Sequence, residues 1–149
     1  MSNSPTFCIL PFTHISSTND GNYRVCCYSE EEAVLNDNGT PANMRKDPIE
    51  KVWNNSFYQN LRKDLLSGIQ NPACKVCWKQ EKDGVFSRRQ KALTELNVDT
   101  EPYNNTVLDK LPIDLDVKLG TLCNLKCITC YPGASSLHQA EANKWKSEG

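Results

Sequence analysis

The stretch PIDLDVKLGTLCNLKCITCYP, Pro112 to Pro132, places a strand directly ahead of a cysteine loop. Ile113, Leu115, Val117 and Leu119 alternate with Asp114, Asp116 and Lys118, the two-residue period of a strand with one apolar face. The following SSLHQAEANKWKSE has helix-forming composition, so the order is strand, loop, helix. In α/β proteins the chemistry sits in the loop after the carboxyl end of a strand. Cys123, Cys127 and Cys130 occupy that loop. Three thiolates are an odd set, because a structural zinc site or a four-iron cubane takes four ligands. A cubane held by three keeps one iron with an open coordination position. That is where substrate or cofactor binds, by the logic of catalytic zinc.

Outward from the loop, the 149-residue chain holds eight cysteines. Its length suits about one domain, and 38% hydrophobic residues with a mean hydropathy of -0.59 describe a polar, soluble chain with a modest core. With 17 basic against 18 acidic residues, it has no dense basic stripe for nucleic acid or a membrane surface. No run of about 18 apolar residues and no signal-peptide pattern is present, so a cytoplasmic location is expected. Disulfides are rare in that compartment, and closely spaced cysteines there point to metal ligation. Five cysteines precede residue 80: Cys8, Cys26, Cys27, Cys74 and Cys77.

FCILPFTHIS (7–16) and NYRVCCY (22–28) read as β-leaning runs joined by the turn-rich STNDG, a hairpin that brings Cys8 towards Cys26. Residues 30–46 read as loop. DPIEKVWNNSFYQNLRKDLLSG reads as a helix, with Asp47 as cap, Pro48 at the first helical position, Glu50 at the capping-box spacing and Gly68 as the left-handed stop. Ile49, Val52, Trp53, Phe57, Leu61 and Leu65 form its core face. Cys74 and Cys77 open a second helix, whose N-terminal N–H groups and dipole favour thiolates. On that helix Arg88, Arg89 and Lys91 read as a solvated face, in preference to contact with an acidic group. The polar 97–106 stretch is a linker, with a domain boundary near 110.

The string CNLKCITC after a first β-strand resembles the cluster loop of the radical S-adenosylmethionine enzymes. The resemblance implies a [4Fe-4S] cluster on Cys123, Cys127 and Cys130 whose open iron is chelated by S-adenosylmethionine. Reductive cleavage of that cofactor to a 5′-deoxyadenosyl radical and hydrogen abstraction from substrate are the implied chemistry. Thr129 stands where the family usually has an aromatic residue before the third cysteine, so no adenine contact is carried onto it. FCILPFTHI, YRVCCYS and NPACKVCWKQEKDGVFSRR resemble the auxiliary-cluster module called twitch, a shortened relative of the SPASM domain. That likeness implies a second, fully coordinated [4Fe-4S] cluster on Cys8, Cys26, Cys74 and Cys77, for electron transfer or structural support. Cys27 is the alternative to Cys26, since neighbours in an extended run point to opposite sides. Zinc on the same four thiolates is the alternative metal. His14 is a possible substitute ligand but reads rather as a structural residue, and His138 as an exposed helix position.

The expected fold class is an α+β N-terminal module (1–110), a cysteine-rich hairpin plus helices, followed by the first strand, loop and helix of a partial (β/α) barrel (111–149). A full barrel takes about 250 residues, so the chain reads as an N-terminal portion or a truncated or split product. Its segment after 110 is then expected to dock on the module or to be poorly ordered. The expected function is that of a radical S-adenosylmethionine enzyme acting on a peptide, protein or small-molecule substrate, with an electron donor such as flavodoxin or ferredoxin. The other readings are a non-catalytic zinc-binding interaction module and, below it, a two-cluster electron carrier.

Overall fold

The STNDG turn closes an antiparallel pair, β1 (His14–Ser17) and β2 (Tyr23–Arg24), with Ser16 opposite Arg24 and Ser17 opposite Tyr23. Gly21 takes φ 86° in that turn, the left-handed conformation that glycine adopts without strain. The computed structural model describes residues 4–29, 33–95 and 103–148. The hairpin is shorter than the sequence suggests, because α1 (Leu10–Thr13) replaces the first half of its first arm. Pro11, near the start of α1, has a fixed φ suited to a helix opening. A short strand β3 (Asp114–Asp116) adds to the other edge of β1 in parallel, giving the order β2-β1-β3. The architecture is α+β, with this small sheet and several helices.

The long helix expected over 47–68 is two helices, α2 (Ile49–Trp53) and α3 (Ser56–Leu66). The break falls at Asn54 and Asn55, whose side chains offer the backbone other partners. Asn55 Oδ1 accepts from the Tyr58 N–H at 3.1 Å, capping α3, and its Nδ2 donates to the Leu35 carbonyl at 2.8 Å. Asp47 caps no helix; its Oδ2 accepts from the Asn43 N–H at 2.8 Å. Gly68, at φ 80°, stops α3 as expected. Val52, Trp53, Leu61 and Leu65 are buried, and Ile49 and Phe57 pack on the same core with Phe7, Ile9, Ile15 and Val25. Asn55→Ala is expected to cost about 1–2 kcal/mol through the lost cap and the orphaned Leu35 carbonyl. A urea midpoint unchanged within error would contradict that.

The second expected helix also divides, into α4 (Lys75–Lys82) and α5 (Arg88–Glu95). A new cap explains the break. The Ser87 N–H donates to Gln90 Oε1 at 2.9 Å and the Gln90 N–H to Ser87 Oγ at 3.3 Å, a reciprocal capping box. The solvated-face reading fails at Arg89, which is buried and paired with Glu81. Arg88 and Lys91 lie nearer solvent and both reach Glu95.

The segment after residue 110 is tied to the module along β1, the Ile113 N–H donating to the Thr13 carbonyl and the Lys118 N–H to Ser17 Oγ, both at 2.9 Å. Trp53 Nε1 donates to the Lys110 carbonyl at 3.0 Å and Asn54 Nδ2 to that of Leu108 at 2.8 Å. In β3 Asp114 and Asp116 share a sheet face with their register partners His14 and Ser16: Asp114 Oδ2 meets His14 Nδ1 at 2.7 Å, and Ser16 Oγ donates to Asp116 Oδ2 at 3.3 Å. Its apolar alternates lie open, with Ile113 73% and Leu115 56% exposed. The final helix α6 (Ser136–Glu148) follows the cysteine loop, as expected. No helix among the described residues is long and apolar enough to cross a membrane.

Candidate metal centre

Four cysteines from three separate chain segments line one cavity: Cys8 before α1, Cys26 after β2, and Cys74 and Cys77 at the start of α4. Leu10, Pro11, Val25 and Ala73 supply its apolar wall, and Arg89 reaches it from α5. Cys27 does not line it. Residues 25–28 form a bend and turn rather than the extended run that the alternation argument assumes; the Ser29 N–H donates to the Cys26 carbonyl at 3.1 Å.

Burial governs the thiols. It pushes Cys8 well above the ordinary value, and the proximity of Cys74 adds to this. Burial also raises Cys26, to about 11, against the opposing N–H of Tyr28. Cys77 is raised by burial, and the Arg89 backbone N–H pulls the other way. A metal needs thiolates, so binding must release these protons. The metal-free chain has a corresponding pH dependence. An acid raised in the folded state keeps its stabilising effect below the unfolded pKa and loses it as pH climbs to the folded value. Cys26, raised from 9.0 to about 11, is expected to lower the stability of the metal-free chain progressively over pH 9–11, by about 2–3 kcal/mol. Urea midpoints measured across that window check it. A flat profile would contradict the buried-thiol description.

Among the described residues, no three His, Cys, Asp or Glu side chains are arranged to grip a single metal ion. Thiolates on one tetrahedral zinc lie about 3.8 Å apart, given Zn–S bonds of about 2.3 Å. The four thiols share one small cavity. They enclose about 10 Å³, room for roughly one water, so a group of several metal atoms enters only with the thiols turned outward.

Residues 8–78 match the SPASM family model, an iron-sulfur cluster-binding domain. The SPASM span runs from Cys8 to the residue after Cys77 and so encloses all four cavity cysteines together with Cys27. Iron-sulfur cluster binding is therefore indicated for this segment, and its donor set of four thiols fits such a group. The three-cysteine loop lies beyond the SPASM span. No curated protein and no solved structure matches the chain.

Cys123, Cys127 and Cys130 sit on the outer loop between β3 and α6, with Cys127 exposed and the other two half-buried. The loop is braced from within and from α6. The Cys130 N–H donates to the Cys127 carbonyl at 3.0 Å, and the Leu125 N–H to Cys123 Sγ at 3.4 Å. Ser136 Oγ accepts from the Cys123 N–H at 3.4 Å, and His138 Nε2 lies 3.1 Å from the Cys127 carbonyl. His138 is thus a half-buried brace rather than an exposed position. His14, buried and bonded to Asp114, is a satisfied structural residue away from the cysteine cavity.

Proposed function

We propose that the chain carries the auxiliary-cluster module and the radical-cluster loop of a radical S-adenosylmethionine enzyme. The observation that carries this reading is the gathering of Cys8, Cys26, Cys74 and Cys77 around one cavity inside the SPASM-matched span. Four thiols suit a cubane or a single zinc ion equally, and the match of the enclosing span to an iron-sulfur cluster-binding domain favours the cubane. These four residues close the first cluster, leaving it for electron transfer or support. Cys123, Cys127 and Cys130 hold a second cluster by three thiolates on a loop that follows a parallel strand. Residues 111–149 are the opening strand, loop and helix of a partial (β/α) barrel, and the open apolar side of β3 is the face that further barrel elements cover.

A three-thiolate cluster supplies one-electron reductive cleavage of S-adenosylmethionine. The chain's own residues orient the loop for it: Ser136 and His138 fix the backbone at Cys123 and Cys127, and the 3.0 Å ion pair of Lys126 with Glu141 ties the loop to α6. The substrate is a peptide, protein or small molecule, the electron donor a flavodoxin or ferredoxin, and the compartment the cytoplasm.

Anaerobic reconstitution with iron, sulfide and zinc quantified tests the reading. About eight irons per chain are expected, four for each cubane, with a reduced-cluster EPR signal that shifts on adding S-adenosylmethionine. Stoichiometric zinc without iron overturns it.

A further inference from the structure

Arg89 stands where three parts of the cysteine cavity meet. Its guanidinium takes Glu81 with both prongs, Nε to Oε1 at 2.9 Å and Nη2 to Oε2 at 2.6 Å. The remaining nitrogen, Nη1, donates to the Phe7 carbonyl at 2.8 Å, immediately before Cys8. The guanidinium carbon lies 5.1 Å from the ring centroid of Trp78, the residue after Cys77. Meanwhile the Arg89 backbone N–H, near the start of α5, acts on the Cys77 thiol against the rise that burial causes. Ser87 holds that start in place: it caps α5 and its hydroxyl donates to Glu81 Oε1 at 2.5 Å. One residue therefore ties the Cys8 segment to the Cys77 helix and places a buried positive charge on the cavity wall.

We propose that Arg89 positions the Cys8 and Cys77 ligands and, with Glu81, sets the reduction potential of the cluster they hold; this rests on the cluster reading above. Reduction by one electron, supplied in the test by dithionite, adds negative charge to the cluster. A nearby cation and an N–H aimed at a thiolate favour the reduced form, while a nearby carboxylate opposes it. Arg89 and Glu81 lie on the same side of the cavity, so as a pair they nearly cancel. Removing one leaves the other's charge uncompensated beside Cys77. The two deletions must then act with opposite signs, which a purely structural role does not produce.

The test uses the full chain carrying Cys123→Ala, Cys127→Ala and Cys130→Ala, so that one cluster remains, with potentiometric EPR titration at pH 8. Glu81→Gln is expected to raise the midpoint and Arg89→Gln to lower it. Each shift should be at least tenfold in the reduction equilibrium, ~59 mV for one electron. If Arg89→Gln takes up no iron, the ligand-positioning half is supported and Glu81→Gln alone decides the sign. Shifts in the same direction, or none with iron content intact, overturn the proposal. A parent chain with no iron overturns the cluster reading instead, and this proposal with it.

Discussion

Exchanging Cys26 for serine is expected, on the two-cubane reading proposed above, to remove about half of the iron from the reconstituted chain, whereas the same exchange at Cys27 leaves iron content unchanged. The two cysteines are adjacent, equally conservative to replace and both half-buried, so composition alone gives no reason for a difference. Position does. Cys26 lines the cavity with Cys8, Cys74 and Cys77, and Cys27 does not. The turn at 25–28 fixes this arrangement: Ser29 Oγ donates to the Cys26 carbonyl at 2.8 Å and accepts from the Cys26 N–H at 3.3 Å, and Arg24 Nη2 donates to the Cys27 carbonyl at 3.3 Å. Turning Cys27 inward means breaking those bonds. Iron assay with visible absorbance reads the outcome, and equal loss from both variants, or loss only at Cys27, refutes the ligand set. Where the serine variant keeps a weakly bound cluster, Cys26→Ala removes the remaining oxygen donor.

What the sequence displays well is local. The core face from Ile49 to Leu65 follows a helical period, and that period survives the break at Asn54 because the second helix resumes on nearly the same side. The pairing of Cys74 with Cys77 depends on adjacent residues, as does the stop at Gly68. The break itself was present as Asn-Asn-Ser, three residues that bond readily to nearby backbone, but the longer apolar period masks it. Other features are set by partners far along the chain. Arg89 looks like one of a run of surface cations, and its burial depends on a carbonyl 82 residues away. Residues 7–13 have strand composition, yet Leu10–Thr13 coil because Pro11 opens a helical turn and Thr13 Oγ1 returns to the Ile9 carbonyl at 3.1 Å. β3 was legible as an alternating strand. Which of its faces meets the module was not, since that depends on His14 and Ser16 finding its two aspartates.

Arg62→Ala is expected to destabilise the chain by about 3–5 kcal/mol, through the cavity it opens and the buried acceptors it leaves without a donor. Arg62 is wholly buried on α3, and burial lowers its guanidinium to about 10, so it remains charged at neutral pH. No carboxylate is among its partners in the described residues. It is held by carbonyls and ring faces: Nε donates to the Pro11 carbonyl at 2.9 Å, and Nη1 to Asn54 Oδ1 at 3.0 Å and to the Thr106 carbonyl at 2.9 Å. Its guanidinium carbon lies 4.5 Å from the Trp53 ring centroid and 5.0 Å from that of Tyr58, each such contact adding about 0.5–2 kcal/mol. Through Thr106, together with the Asn54 and Trp53 bonds to Leu108 and Lys110, Arg62 clamps the segment leading into β3. The alanine variant should therefore show a lower urea midpoint and faster tryptic cleavage after Lys110. Arg62→Lys should recover little, because an ammonium cannot reproduce the planar fork or stack between two rings. A loss under about 1 kcal/mol, or full rescue by lysine, would show that packing of the aliphatic stem alone holds the two segments together.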